Sequence, residues 1–186
     1  MRRSWRAGVD VEYVHANVYD AVEALGGRRF DVVYTGKGAL CYLPDLTAWA
    51  EVLRALLAPG GLLYLVEFHP LLHAFSPSPV TGPDEPLLLY QDYLEGRGAQ
   101  EKDSPRTYTD GPPLAGPTLA YEWRHGLGEV LTALLRAGLR LETVREVDEL
   151  PWPRWRRMTR TASGWWRLPE EEPRVPLLFA VRARRA

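Results

Sequence analysis

Two spacings of apolar residues alternate along this chain. Phe30 to Thr35 (FDVVYT) is apolar on both faces after Asp31, as a strand inside a parallel sheet should be, and Leu62 to Phe68 reads as a second strand. Between them Leu46, Trp49, Ala50, Leu53, Leu56 and Leu57 recur at helical spacing. They predict a helix from Leu46 to Leu57 with one buried stripe and Asp45 as its N-cap. Pro59-Gly60-Gly61 ends that helix and turns the chain into the next strand. Strand, helix and strand with short joints form the right-handed crossover unit of a parallel sheet.

The remaining pattern extends this unit on both sides. Val11 to His15 reads as a strand, followed by a short helix from Asp20 to Leu25 and a stop at Gly26-Gly27. Trp123, Leu127, Val130, Leu131, Leu134 and Leu135 predict a helix over Tyr121 to Ala137, with Gly138 just beyond its end. Leu139 to Val147 alternates as a strand exposed on one face, and Val175 to Ala183 is a last strand, paired antiparallel. From Pro70 to Pro117 periodicity gives way to a proline-rich excursion, broken only by a local helix or strand near Tyr90 and Tyr93. Loops of such length inside a compact domain are usually functional or mobile, so a lid is expected here.

Bulk composition narrows the setting. A chain of 186 residues, 46% apolar and 25% charged, suits one domain with its own core. Its formal net charge of -1 gives no global field toward nucleic acid or an anionic membrane. Cys41 is the single cysteine, which excludes an intramolecular disulfide and fits a packed thiol better than a nucleophile. No stretch is apolar enough to cross a bilayer, and the basic start lacks the apolar region of a secretion signal. A cytoplasmic protein is expected.

The segments VEYVHANVYDA, RRFDVVYTGKGALCYLPDLTAWAEVLRALLAPGGLLYLVEFHP, YEWRHGLGEVLTALLRAGLRLETVREV and VPLLFAVRA resemble, in order, the rear two-thirds of class I S-adenosylmethionine-dependent methyltransferases of the small-molecule type. The resemblance implies an α/β fold: an incomplete Rossmann-like methyltransferase sheet, mostly parallel with an antiparallel C-terminal strand, helices on its faces and a long irregular insertion. Residues 1–186 would then be one partial domain, with a lid-like insertion at about 70–119. The family's glycine-rich turn and its ribose-binding acidic residue have no counterpart in this sequence. The expectation is therefore an N-terminal truncation, through a truncated frame, a misplaced start or degeneration. The implied cofactor is S-adenosyl-L-methionine and the implied acceptor a small molecule. The alternative is a non-catalytic remnant that binds cofactor weakly or not at all. An open sheet edge would also invite a homodimer.

The resemblance also assigns roles. Asn17 and Val18 would meet the adenine, although alone they read equally as a turn Asn beside a core Val. Tyr34, Thr35 and Gly36 would lie by the sulfonium, where an aromatic face or carbonyls help hold positive charge. Lys37, Tyr42 and Tyr121 fall on the acceptor side. In-line methyl transfer needs alignment first, and a base only where the acceptor loses a proton. His125 and His69 are the candidates for that base; Glu129, on the same helical face as His125, could orient its ring, though a surface His with a salt-linked Glu fits equally. His69 and His73 have the i, i+4 spacing of a metal pair near Glu67. Pro70 argues against a helix spanning them and no third ligand is evident, so no metal is expected. The aromatic and arginine alternation of PWPRWRRMTR, Pro151 to Arg160, is the vocabulary of nucleic-acid binding, but Glu170, Glu171 and Glu172 follow closely, and a substrate-side or structural loop is the expectation.

Overall fold

The computed structural model describes residues 10–75, 87–105 and 112–186. The basic start and parts of the proline-rich excursion lie outside these residues. At the centre is a four-stranded sheet of β1 (Phe30–Thr35), β2 (Leu57–Phe68), β8 (Leu178–Arg185) and β5 (Leu139–Val147), in that spatial order. β1 and β2 are parallel, and β8 runs against both β2 and β5. Val33, Leu65 and Val181, from three separate parts of the sequence, share this sheet, and Leu65 pairs directly with Val181.

Helices α2 (Leu46–Leu56) and α4 (Leu127–Arg136) cover one face of the sheet. The Asp45 side chain accepts the Ala48 N–H at 2.9 Å and starts α2. The stripe of Leu46, Trp49, Ala50 and Leu53 packs with Val130, Ala133 and Leu134 of α4 over Leu63, Leu65, Val181 and Ala183. Gly138 closes α4 at φ 79°, a conformation that glycine adopts without penalty.

A second cluster covers only the carboxyl end of the opposite face. It joins Leu72 and Phe75, at and just beyond α3 (Pro70–Ala74), to Leu150, Trp155, Met158, Leu168 and Leu178. None of the described elements covers the rest of that face. Two small sheets complete the fold: β3 (Gln100–Asp103) with β4 (Leu119–Glu122), and β6 (Thr159–Arg160) with β7 (Trp166–Arg167). Ahead of β1 come a 3₁₀ turn at Val18–Asp20 and α1 (Ala21–Ala24). No helix among the described residues is long and apolar enough to cross a membrane.

Several elements depart from the sequence pattern. Val11 to His15 forms no strand, because no neighbouring strand accepts its backbone hydrogen bonds. β2 begins at Leu57, not Leu62, since Leu57 already pairs with Phe30; Pro59-Gly60-Gly61 is an irregularity inside the strand and not a turn before it. A Cβ at Gly61 would stand 2.8 Å from the Ala58 carbonyl oxygen and 3.0 Å from that of Phe30, so the bulge requires glycine there. The helix expected from Tyr121 begins only at Leu127, because Leu119 to Glu122 pairs with β3. Pro70 does not exclude a helix, as it occupies the first helical position of α3, where no N–H is needed. Nor is β1 buried on both faces: Val32 and Tyr34 project from the face that none of the described elements covers at this point, and are exposed.

Candidate functional site

The carboxyl ends of β1 and β2 open toward a cleft of about 720 Å³. Phe68, at the end of β2, and Lys37, two residues past β1, form its floor, while Leu72 and His73 of α3 form one side. Gln100, Glu101 and Lys102 of β3 and Glu122 of β4 form another, completed by Gln91, Arg124, Trp152 and Arg154. In open α/β sheets this end of the strands is where ligands bind.

A carboxylate shapes the floor. Glu67, 3% exposed, accepts the N–H groups of Ala39 at 2.8 Å, Leu40 at 3.2 Å and its neighbour Phe68 at 2.7 Å, and also that of Gly38. The loop after β1 is thus wrapped around a side chain of β2. Charged acceptors make stronger hydrogen bonds than neutral ones, so Glu67 pins the loop carrying Lys37 to the sheet.

The wall is ionic. Lys102 Nζ lies 2.7 Å from Glu122, and Arg124 donates to the same carboxylate at 3.2 Å and to the Gln91 side-chain oxygen. Burial pushes the Glu122 carboxyl up, but Lys102 and Arg124 outweigh it and hold it below the usual range. Lys102 is held above its usual range because Glu122 outweighs the effect of burial. Burial, with Arg124 adding, pushes His73 down to about 4, so its imidazole is neutral at physiological pH. Lys37 stands over the Trp165 ring at 5.4 Å, a cation–π contact.

No family model and no curated protein matches the sequence. Solved structures do. A protein from Listeria monocytogenes assigned as an S-adenosylmethionine-dependent methyltransferase superposes with a TM-score of 0.53 and 15% identity, over 86% of this chain and 63% of that one. This chain has the methyltransferase fold. An S-adenosylmethionine-dependent methyltransferase from Mesorhizobium loti aligns at 21% identity over 86% of this chain and 63% of its own, with a TM-score of 0.47. A glycopeptide N-methyltransferase solved with S-adenosyl-L-methionine aligns at 17% identity over 84% and 54%, with a TM-score of 0.42. The chain spans 63% of the length of the first two.

Within the methyltransferase fold, the residues singled out from sequence fall in different places. Asn17 is exposed, and its side-chain oxygen accepts the Tyr19 N–H at 3.0 Å; Val18 is 37% exposed. Tyr34 stacks on Tyr64 at 6.2 Å on the face that the described elements leave open, with Thr35 ending β1 and Gly36 packed under the Tyr34 ring. Lys37 lines the cleft, whereas Tyr42 and Tyr121, 49% and 46% exposed, do not. On β4 alternation sends Glu122 into the cleft and Tyr121 to the other side.

The two histidines expected as bases are buried. His69 caps α3: its Nδ1 accepts the Leu71 N–H at 3.1 Å, so the neutral ring carries its proton on Nε2, 2.8 Å from Glu146. Burial lowers its pKa against the pull of Glu146. His125 precedes α4 and does not lie on it; Nε2 lies 2.7 Å from the Leu43 carbonyl oxygen and must donate to it. Its Nδ1 lies 3.9 Å from Glu95, and the residue borders a crevice of about 30 Å³, room for roughly one water. Glu129 does not orient His125; it accepts the Gly126 N–H at 2.7 Å. Glu95, His125 and Glu129 bring ligand atoms within 4.8 Å of one another, but the helix cap accounts for Glu129 without an ion. His69 and His73 diverge in role, since both ring nitrogens of His69 are engaged elsewhere and His73 lines the cleft.

Sequence reasoning missed Glu122, Arg124 and Glu67 as builders of the site. A single carboxylate ending an apolar strand, as in LYLVEF, was the available signal for Glu67. The aromatic and arginine loop has a structural part and a part beside the cleft: Trp155 is buried at 3% exposure and Arg157 pairs with Glu172, while Trp152 and Arg154 line the cleft. Burial, with Glu122 and Glu67 adding, pushes the Cys41 thiol up to about 12, which suits a packed thiol.

Proposed function

We propose that this chain serves methyl transfer from S-adenosyl-L-methionine to a small-molecule acceptor. The cleft of about 720 Å³ at the carboxyl ends of β1 and β2 is the observation that carries the reading, because fold alone does not define function. When bound, the cofactor supplies an activated methyl on a sulfonium. Tyr34, Thr35 and Gly36 would hold its methionine end, with the Tyr34 ring offering a π face to positive charge. Asn17 and Val18 would reach its adenine. The acceptor would occupy the cleft, with Lys37 on its floor and the insertion at about 70–119 as its lid; Tyr42 and Tyr121, which stand outside the cleft, would meet only a part of the acceptor that extends beyond it.

Alignment supplies most of the rate in such a displacement, so a rigid floor matters more than a strong base. Glu67 provides that rigidity. His73, neutral in the cleft, can accept a hydrogen bond from the acceptor but binds a proton only weakly. His125 would remain the candidate base, whereas His69, with both ring nitrogens engaged, has no lone pair left to take a proton. Calorimetric titration with S-adenosyl-L-homocysteine tests the reading: saturable binding that Tyr34→Ala weakens supports it, and no binding by folded protein overturns it.

A second reading, a non-catalytic remnant that binds cofactor weakly or not at all, is supported by Asn17 and Val18, which are exposed and line no part of the cleft. Weak or absent binding of S-adenosyl-L-homocysteine by folded protein would favour it. The cytoplasm is the setting for either reading. The open edge of β1, with Val32 58% and Tyr34 62% exposed, supports a homodimer; sedimentation should then show a dimer that Val32→Lys dissociates.

A further inference from the structure

We infer that the cleft takes an acceptor with an anionic group, a carboxylate or a phosphate, carried on an apolar or aromatic body. The inference rests on the methyl-transfer reading only for the word acceptor; the ligand chemistry comes from the cleft itself. Among the described residues four cationic side chains line it, Lys37, Lys102, Arg124 and Arg154, against two carboxylates, Glu101 and Glu122. Glu122 is already engaged by Lys102 and Arg124, and cationic side chains outnumber carboxylates among the described residues that line the cleft. Phe68, Leu72 and Trp152 supply the apolar surface between them.

One donor marks the place. The Arg124 side chain is 10% exposed, with its terminal nitrogens bound to Glu122 and Gln91, yet its Nε is buried without a hydrogen-bond partner. A buried unsatisfied donor costs stability, and a ligand oxygen is a group that would relieve it. Arg124 lines both the cleft and a neighbouring inner crevice, so its side chain borders the space that a ligand would enter. The field agrees: Arg124, Arg154 and Lys102 all push His73 toward its neutral form, opposed by Glu122. Guanidinium and ammonium groups around a partly apolar cleft are the chemistry that selects carboxylates and phosphates over neutral amides.

The test is calorimetry on the full chain with phenylacetate, phenyl phosphate and the neutral phenylacetamide, each alone and with S-adenosyl-L-homocysteine present. At least one anion should bind about tenfold more tightly than the amide, the size of one charge-assisted hydrogen bond. Which anion wins separates a carboxylate acceptor from a phosphate one. Lys37→Gln, an exposed substitution that leaves the Glu122 pairs intact, should weaken the anion several-fold and leave the amide unchanged. Arg154→Gln should weaken it further. Equal affinity for anion and amide, no binding by any of the three, or an anion affinity indifferent to Lys37→Gln overturns the inference. Failure of S-adenosyl-L-homocysteine to bind would instead strike the methyl-transfer reading and leave an anion preference standing.

Discussion

The two faces of the central sheet are built to different ends. On one, Leu63, Leu65, Val181 and Ala183 are 0% exposed beneath α2 and α4. On the other, Val32, Tyr34 and Tyr64 are 58%, 62% and 39% exposed, and Arg182 and Arg184 reach across to Glu142 at 3.2 and 3.0 Å. Only the carboxyl end of this second face is covered, by the cluster around Trp155 and Leu178. Stability is therefore concentrated in the first face and the strand ends, and the site stands where the covered part of the second face stops. Burial of apolar area drives folding, so substitutions should separate the faces sharply.

The largest effect is expected in the helix-covered core. Leu134, 0% exposed and packed between α2 and the sheet, should cost about 3 kcal/mol or more when truncated to Ala, read as a lower urea midpoint. A midpoint within experimental error of wild type would mean that α4 does not hold this face.

Acid should act nearly as strongly, through the cleft. His73 ionises near 4 in the folded chain against an ordinary 6.5. Between those values the unfolded state binds the extra proton, so stability falls as pH drops from above 6.5 and levels off below 4. The loss amounts to about 3 kcal/mol. His73→Gln should remove most of it, leaving the smaller contribution of His69, whose pKa is also lowered. An unchanged pH profile in the variant would place the proton elsewhere.

Glu67→Gln replaces a carboxylate that accepts four N–H groups with an amide whose nitrogen can accept none of them. It should cost about 2 kcal/mol and, more tellingly, speed hydrogen exchange at Gly38 and Ala39 before any global change. The smallest effect belongs to the second face: Val32→Thr should stay within about 0.5 kcal/mol of wild type. A core-sized loss there would show that something covers this face in solution.

The same contrast explains what the sequence could disclose. The α2 stripe with its Asp45 cap was legible because local period and burial agree there, and the strands at Phe30 and Leu139 because of their composition and alternation, although β1 is exposed on one face. Val11 to His15 has strand composition but no pairing partner among the described residues, and pairing is a non-local property that periodicity does not carry. Tyr121 to Glu122 was drawn into a helix by the apolar residues after it, while its true pairing is with Gln100 to Asp103, across the proline-rich excursion. For the cleft, Lys37 was within reach of sequence reasoning because it follows a strand end. Arg124, Glu122 and Lys102 were not, because the bonds of Lys102 to Glu122 and of Arg124 to Gln91 join segments twenty and thirty-three residues apart, and no spacing announces them.

The central claim is that these strand ends form a methyl-transfer site, and one titration tests it most directly: S-adenosyl-L-homocysteine into the full chain, with circular dichroism showing the fold intact. The account predicts saturable binding, weakened by Tyr34→Ala at the end of β1. A folded chain that gives no binding heat at millimolar ligand would contradict it.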